Sequence, residues 1–254
     1  MMARAPIVFL TGASSGIGLA LAGQYAAAGA RLGLVARRLE PLQTFARAYP
    51  HLTIEIYAVD VRDTQALADA AADFIERVGC PDIVIANAGV SRGTVTGHGD
   101  LDAFRAVMDT NYLGTVATFE PFIELMTRLR RGTLVGIASV AGVRGLPGAG
   151  AYSASKAATI SYLESLRVEM RGANVKVVTL APGYIRTPMT AENDYRMPFL
   201  MDVDAFAIRA LRAIADGRRF VVIPWPMGVV AALLRILPRA LYDFVFARAP
   251  RKAR

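Results

Sequence analysis

Through its first 180 residues the chain alternates short apolar runs with longer stretches whose apolar positions recur at helical spacing. The short runs fall at 7–10, 32–36, 54–59, 83–86, 134–138 and 175–180, with a seventh at 220–223. They are rich in Val, Ile and Leu and almost continuous in hydrophobicity, the pattern of strands buried on both faces. Helical spacing holds over 17–28, 39–48, 64–78, 101–129 and 151–171. This alternation predicts an α/β architecture, a doubly wound parallel sheet with helices on both sides. No linker, repeat or low-complexity tract interrupts it. Residues 1–226 are therefore expected to form a single domain, and 227–254 an appended segment.

That last segment has a different pattern. After the turn Pro224-Trp225-Pro226, residues 228–247 are apolar with sparse charges. Arg235, Arg239 and Asp243 recur every four residues on one face, and Val230, Leu233, Leu234, Leu237, Leu241, Phe244 and Val245 fill the rest. The charges and Pro238 argue against a membrane-spanning helix. They predict an amphipathic helix, or two helices broken at Pro238, followed by Arg248, Arg251, Lys252 and Arg254.

Composition narrows the class. Of 254 residues, 54% are apolar and 20% charged, which excludes a disordered chain. The formal charge of +8 comes entirely from residues 205–254, with ten basic side chains against two acidic; the preceding 204 balance. A basic amphipathic end of this kind fits an anionic membrane surface; covering a substrate cleft or making a subunit contact are the alternatives. Nucleic acid is not expected, since no recognition motif or basic–aromatic platform accompanies the charge. One cysteine, Cys80, fits a reducing compartment, and with only two histidines, His51 and His98, no metal site is expected. No signal peptide is read at the start, because the apolar run 7–10 is too short. A cytoplasmic protein is expected, with peripheral attachment to the inner face of a membrane if the basic segment binds lipid.

Three stretches carry chemistry. Gly12, Ser14, Gly16, Ile17 and Gly18 follow the first strand and open the first helix, where glycines let backbone approach a pyrophosphate. The second strand ends in Arg37-Arg38 with no acid before Glu40. Guanidiniums there suit the 2′-phosphate of NADP, whereas an acidic residue would suit NAD; the alternative is that they are simply solvated. Tyr152 and Lys156 stand four apart on a predicted helix, so they share a face, and a lysine beside a phenol lowers its pKa toward the range of a general acid/base.

Taken in order, Thr11-Gly12-Ala13-Ser14-Ser15-Gly16-Ile17-Gly18, Asn87-Ala88-Gly89, Asn111, Ser139, Tyr152-x-x-x-Lys156 and Pro182-Gly183 resemble the short-chain dehydrogenases/reductases, in their single-domain branch of about 250 residues. The resemblance runs from residue 6 to about 190 and implies a Rossmann-type fold. It implies that Gly12, Ser14, Gly16, Ile17 and Gly18 line the pyrophosphate. Asp60 and the Val61 backbone meet the adenine, and Asn87, Ala88 and Gly89 lie beneath the adenosine ribose. It further implies Ser139 holding the substrate oxygen, Tyr152 as general acid/base, and Lys156 gripping the nicotinamide ribose while lowering the tyrosine pKa. Asn111 anchors a proton-relay water, and Pro182, Gly183, Ile185 and Thr187 pack on the nicotinamide.

The expected activity is NADP(H)-dependent hydride transfer between a ketone and a secondary alcohol. Segment 188–201 holds Met189, Tyr195, Met197, Phe199, Leu200 and Met201, an adaptable apolar wall that favours a hydrophobic, lipid-like substrate; plain core filling is the other reading. Two alternatives stand beside this: a 3-oxoacyl-carrier-protein reductase docking its acidic carrier on the basic segment, and a non-catalytic NADP(H)-binding redox sensor. From the resemblance a homo-oligomer, dimer or tetramer, is expected through 101–129 and 151–171.

Overall fold

A computed structural model of the chain describes residues 5–247; Arg248, Arg251, Lys252 and Arg254 of the expected basic end lie outside them. In chain order the strands are β1 (Ile7–Thr11), β2 (Arg31–Ala36), β3 (Ile54–Ala58), β4 (Ile83–Ala86), β5 (Thr133–Ile137), β6 (Lys176–Pro182), β7 (Ile185–Arg186), β8 (Met201–Asp202) and β9 (Phe220–Ile223). Seven of them form one sheet in the order β3-β2-β1-β4-β5-β6-β9, with every neighbouring pair parallel. The expected doubly wound parallel sheet is what the chain forms. β7 and β8 pair separately, Ile185 with Met201, and so tie together the two ends of segment 188–201, a connection the strand pattern did not reveal.

The helices are α1 (Gly16–Ala27), α2 (Leu39–Ala48), α3 (Thr64–Val78), α4 (Leu101–Met108), α5 (Gly114–Leu129), α6 (Gly150–Glu169), α7 (Pro188–Ala191), α8 (Val203–Ala215), α9 (Trp225–Ile236) and α10 (Arg239–Phe246). Alternation along β1 divides the core in two. Val8 and Leu10 face α1, α2 and α8 through Leu21, Leu42 and Phe206. Ile7 and Phe9 face α3, α5 and α6 through Phe74, Phe122 and Leu163. All these side chains are essentially inaccessible. Local signals agree with the long-range packing. Asp63 caps α3 by accepting from the Ala66 amide at 3.0 Å, and Gly79, at φ 107°, lets the chain leave it.

The expected single helix over 101–129 is instead interrupted. Residues Asp109–Leu113 form a π-helical turn between α4 and α5. Such a turn adds a residue to the helix and displaces its backbone, a device common at functional sites. Here it carries Asn111 fully into the interior. Over 228–247 the chain takes the second of the two expected forms, with α9 and α10 separated at Pro238. Among the described residues no helix is long and apolar enough to cross a membrane.

Gly33, in the middle of β2, shows how tightly the sheet is covered. A Cβ there would lie 2.7 Å from the Phe9 ring and 2.8 Å from that of Phe74, both without room to yield. Gly33→Ala is therefore expected to destabilise the fold by about 1–3 kcal/mol through overpacking. Urea denaturation would show this as a lower midpoint at an unchanged slope.

Candidate active site

Strand order reverses between β1 and β4, and connections leave these two strands in opposite directions. A crevice opens at their C-terminal ends, where such sheets bind ligands. A cavity of about 300 Å³ occupies it. Of the residues expected to contact cofactor, Gly12, Ser14, Gly16, Ile17, Arg37, Arg38, Asp60, Val61, Asn87, Ala88, Gly89, Pro182, Gly183, Ile185 and Thr187 all line this cavity.

The glycine loop is shaped by its neighbours. Gly12 and Gly16 have φ of 70° and 55°, a region that penalises any Cβ. A Cβ on Gly12 would also lie 2.7 Å from Asn87 Nδ2 and 2.8 Å from Ala88 Cα. Asn87 is a brace: its Nδ2 donates to the Thr11 and Gly12 carbonyls at 3.0 and 3.1 Å. Its amide in turn donates to the Thr11 hydroxyl at 3.2 Å. Gly18 does not line the cavity; a Cβ there would lie 2.2 Å from the Gly12 carbonyl oxygen, so this glycine serves the close approach of α1 to the loop. Ser15, at the α1 N-cap, makes no side-chain cap, so the first-turn amides are not taken by it and face the cavity as an anion site. A pyrophosphate fits this cradle.

At the end of β2, Arg37 and Arg38 are exposed on the rim, and Arg38 reaches across to the Ser14 hydroxyl at 3.3 Å. Among the described residues Asp60 is the one acid lining the cavity. Arg62 grips its carboxylate at 2.7 Å and, with Arg37 nearby, holds it below the usual carboxylate range. Positive charge thus prevails at this end, which suits a ligand with a phosphate there.

At the other end stand Ser139, Tyr152 and Lys156, all on the cavity wall. Ser139 follows β5, and its Oγ accepts from the Ala141 amide at 3.1 Å, holding the turn over the cleft. Tyr152 and Lys156 lie one turn apart on α6, as their spacing requires. Lys156 Nζ lies 5.9 Å from the Tyr152 ring centroid and donates to the Ile137 carbonyl at 2.7 Å. The expectation that lysine depresses the phenol is not met by this arrangement. Burial raises Tyr152, and only the hydrogen bond with Ser139 opposes it. The ammonium is itself desolvated, its pKa lowered to about 8, and it is committed to a carbonyl rather than to the phenol.

Asn111 lies behind this group rather than in the cavity wall. Its Oδ1 accepts from the Val90 amide at 2.8 Å, and its Nδ2 donates to the Val90 carbonyl and the Ser155 hydroxyl, both at 2.9 Å. Its main-chain carbonyl accepts the Thr115 and Thr159 hydroxyls. Both amide hydrogens are spent within the protein, so a relay through its side chain would have to use the second lone pair of Oδ1.

Of the expected substrate wall, Met189 lines the cavity. Tyr195, Met197 and Phe199 do not. Tied at its ends by β7 and β8, the segment turns Tyr195 against Tyr184, with ring centroids 6.4 Å apart, and Met197 toward Asn193. Phe199 is 53% exposed. Asn193 Oδ1 is the one buried side-chain acceptor without a partner among the described residues. Lining residues that the motifs did not single out include Val90, Thr110 and Thr190. Thr190 had a signal, as the last member of the capping box that Thr187 opens on α7. Among the described residues no cluster of His, Cys, Asp or Glu is placed to hold a metal.

The short chain dehydrogenase family matches residues 6–197 of this chain. An uncharacterized oxidoreductase of Myxococcus xanthus is 38% identical over 238 residues, covering 92% of this chain and 93% of its own. The dehydrogenase/reductase SDR family member 7B of Xenopus tropicalis is 34% identical, covering 97% and 86%. Among solved structures, a short-chain dehydrogenase from Sphingobium yanoikuyae in complex with NADPH shares the fold with a TM-score of 0.79 at 24% identity, covering 92% of this chain and 97% of its own.

Burying Lys156 has a consequence for stability. With a folded pKa of about 8 against 10.5 unfolded, the unfolded chain binds the extra proton between these values, so stability rises with pH across that window. Lys156→Met is therefore expected to stabilise the protein at pH 7 by at most about 3 kcal/mol, less roughly 1 kcal/mol for the lost hydrogen bond to Ile137. By pH 9.5 the gain should shrink to less than half. Paired urea titrations of wild type and variant at the two pH values would measure it.

Proposed function

The chain belongs to the short-chain dehydrogenase/reductase family, and we propose that within it the protein is an NADPH-dependent oxidoreductase interconverting a ketone and a secondary alcohol on an apolar substrate. One observation carries the reading. A single cleft has Ser139, Tyr152 and Lys156 at one end, and at the other two arginines where an NAD-binding site usually has an acid.

The residues fit the cofactor as follows. Gly12, Ser14, Gly16 and Ile17 would hold the pyrophosphate and Arg37 with Arg38 the 2′-phosphate. Asp60 and Val61 would flank the adenine, Asn87, Ala88 and Gly89 the adenosine ribose, and Pro182, Gly183, Ile185 and Thr187 the nicotinamide. When bound, the nicotinamide supplies or accepts the hydride at the substrate carbon. The protein handles the oxygen. Ser139 donates a hydrogen bond to it, and Tyr152 delivers the proton. A phenol raised by burial keeps its proton at neutral pH, which suits a donor in the reductive direction. Lys156, still mostly cationic at pH 7 and donating to the Ile137 carbonyl, would grip the nicotinamide ribose. Asn111 positions: through Val90 and Ser155 it joins the end of β4 to the turn of α6 that carries Tyr152. Met189 would contribute the apolar wall on the substrate side.

The test is reduction of a pooled set of hydrophobic ketones with NADPH, read by mass spectrometry. Tyr152→Phe is expected to lower turnover by about 10²–10⁴-fold while leaving NADPH affinity nearly unchanged. NADPH binding without turnover of any ketone would count against the hydrophobic-ketone assignment. Replacing both Arg37 and Arg38 with Ala is expected to weaken NADPH by on the order of tenfold or more while sparing NADH. Equal losses for both cofactors would remove the 2′-phosphate assignment.

A further inference from the structure

The C-terminal helices are pinned to the body with apolar faces outward. On α9, Met227 and Ala231 are buried, and the opposite stripe carries Trp225, Val229, Leu233 and Ile236, which are 72%, 52%, 58% and 76% exposed. Spacings of four, four and three place these on one line. On α10, Tyr242 and Phe246 stack at 4.3 Å on the inner side, and Leu241, Phe244 and Val245 stay exposed. Arg144 fastens both helices. Its Nη1 donates to the Leu234 and Leu237 carbonyls at 2.7 and 2.8 Å, and its guanidinium lies 4.3 Å over the Tyr242 ring. Tyr242 also donates to the Gly145 carbonyl. Helices so anchored do not turn these stripes inward, and contiguous exposed apolar side chains mark an interaction surface.

Charge at the edge of the patch indicates what covers it. Trp225 also borders a shallow cavity of about 310 Å³ whose walls include Arg209, Arg212 and Arg218 against one acid, Asp216. We propose that α9 and α10 seat the protein on an anionic lipid bilayer, with the stripes at the acyl boundary, Trp225 at headgroup level and a lipid phosphate in the arginine cavity. The chemistry is that of an interfacial helix: an apolar stripe, a tryptophan at the boundary and adjoining cations. At 1.5 Å per residue α9 is about 18 Å long, so it lies in the interface and does not span it. A second copy fits less well, because a two-fold contact through Trp225 brings one arginine cluster beside the other. The proposal does not depend on the redox reading.

Trp225 is the only tryptophan in the chain, so its emission reports this surface directly. The full chain would be mixed with vesicles of phosphatidylcholine alone or with added phosphatidylserine, with and without brominated acyl chains. A blue shift on the anionic vesicles, quenched by the brominated lipid, is expected, together with flotation of the protein. Ile236→Ser combined with Phe244→Ser is expected to weaken binding on the order of tenfold or more, as is Arg212→Gln combined with Arg218→Gln. Both variants should keep the melting temperature of wild type, which separates lost binding from lost folding. Emission indifferent to every vesicle, from a protein that melts normally, would overturn the proposal. So would a shift that follows protein concentration without lipid and disappears with a chromatographic dimer in the Ile236/Phe244 variant. Equal binding to neutral and anionic vesicles would overturn the anionic-surface assignment, since both lipids carry a phosphate and only one a net charge.

Discussion

The lock between β1 and β4 is the constraint on which the site depends. Where the strand order reverses, the sheet has two free strand ends side by side and no helix between them. The crevice is useful only if its floor is rigid. Thr11 and Asn87 make it so, with the Asn87 amide bridging two consecutive carbonyls of the glycine turn. Gly12 has neither a permissive φ nor space for a side chain, and Gly18 has no space between α1 and that turn. Three backbone segments therefore meet at van der Waals distance, and the first-turn amides of α1 point at the same place from which the cations at the end of β2 are reached.

The proton-handling end is built at a cost to stability. An ammonium in the interior, held by one carbonyl, is a group whose removal the fold would tolerate and the chemistry would not. Its surroundings are correspondingly rigid. The π-helical turn delivers Asn111 to the junction of Val90 and Ser155, and the Thr115 and Thr159 hydroxyls take up the carbonyl that the turn frees. Asn111, Thr115, Ser155 and Thr159 are spent on one another and on the backbone, while Ser139, Tyr152 and Lys156 border the cavity.

Arg144 connects this end to the C-terminal helices. It sits a few residues after Ser139, in the same connection between β5 and α6, and satisfies two carbonyls at the C-terminus of α9 while lying on the Tyr242 ring. Met227, at the start of α9, packs where a Cβ on Gly183 would be. The helices that carry the exposed apolar stripes thus rest on the two loops that carry Ser139 and the Pro182-Gly183 turn. Any surface that holds α9 and α10 also orients the mouth of the cleft.

Much of this is legible in the sequence. Continuous Val/Ile/Leu runs alternating with helical periods require strands buried on both faces, and among common architectures a parallel sheet wound on both sides provides that. The glycine loop, Arg37-Arg38 and the Tyr152/Lys156 spacing are local in sequence, so their shared faces and turns could be read from periodicity and backbone permissiveness alone. Other features depend on contacts distant in sequence. The π-helical turn looks like ordinary helix, because what stabilises it is Asn111 meeting Val90 and Ser155, up to 44 positions away. The direction in which the Tyr152 and Lys156 pKa values move is hidden for the same reason: spacing gives proximity, but burial raises the one and lowers the other. That Tyr195, Met197 and Phe199 stay off the cavity lining goes with the β7–β8 pairing, two residues long and invisible to any periodic signal. The amphipathic end was visible as a pattern. Which of its faces is spent on the protein and which is left to a partner was decided by Arg144, some 90 residues upstream, since only tertiary packing determines which face of a helix is already covered.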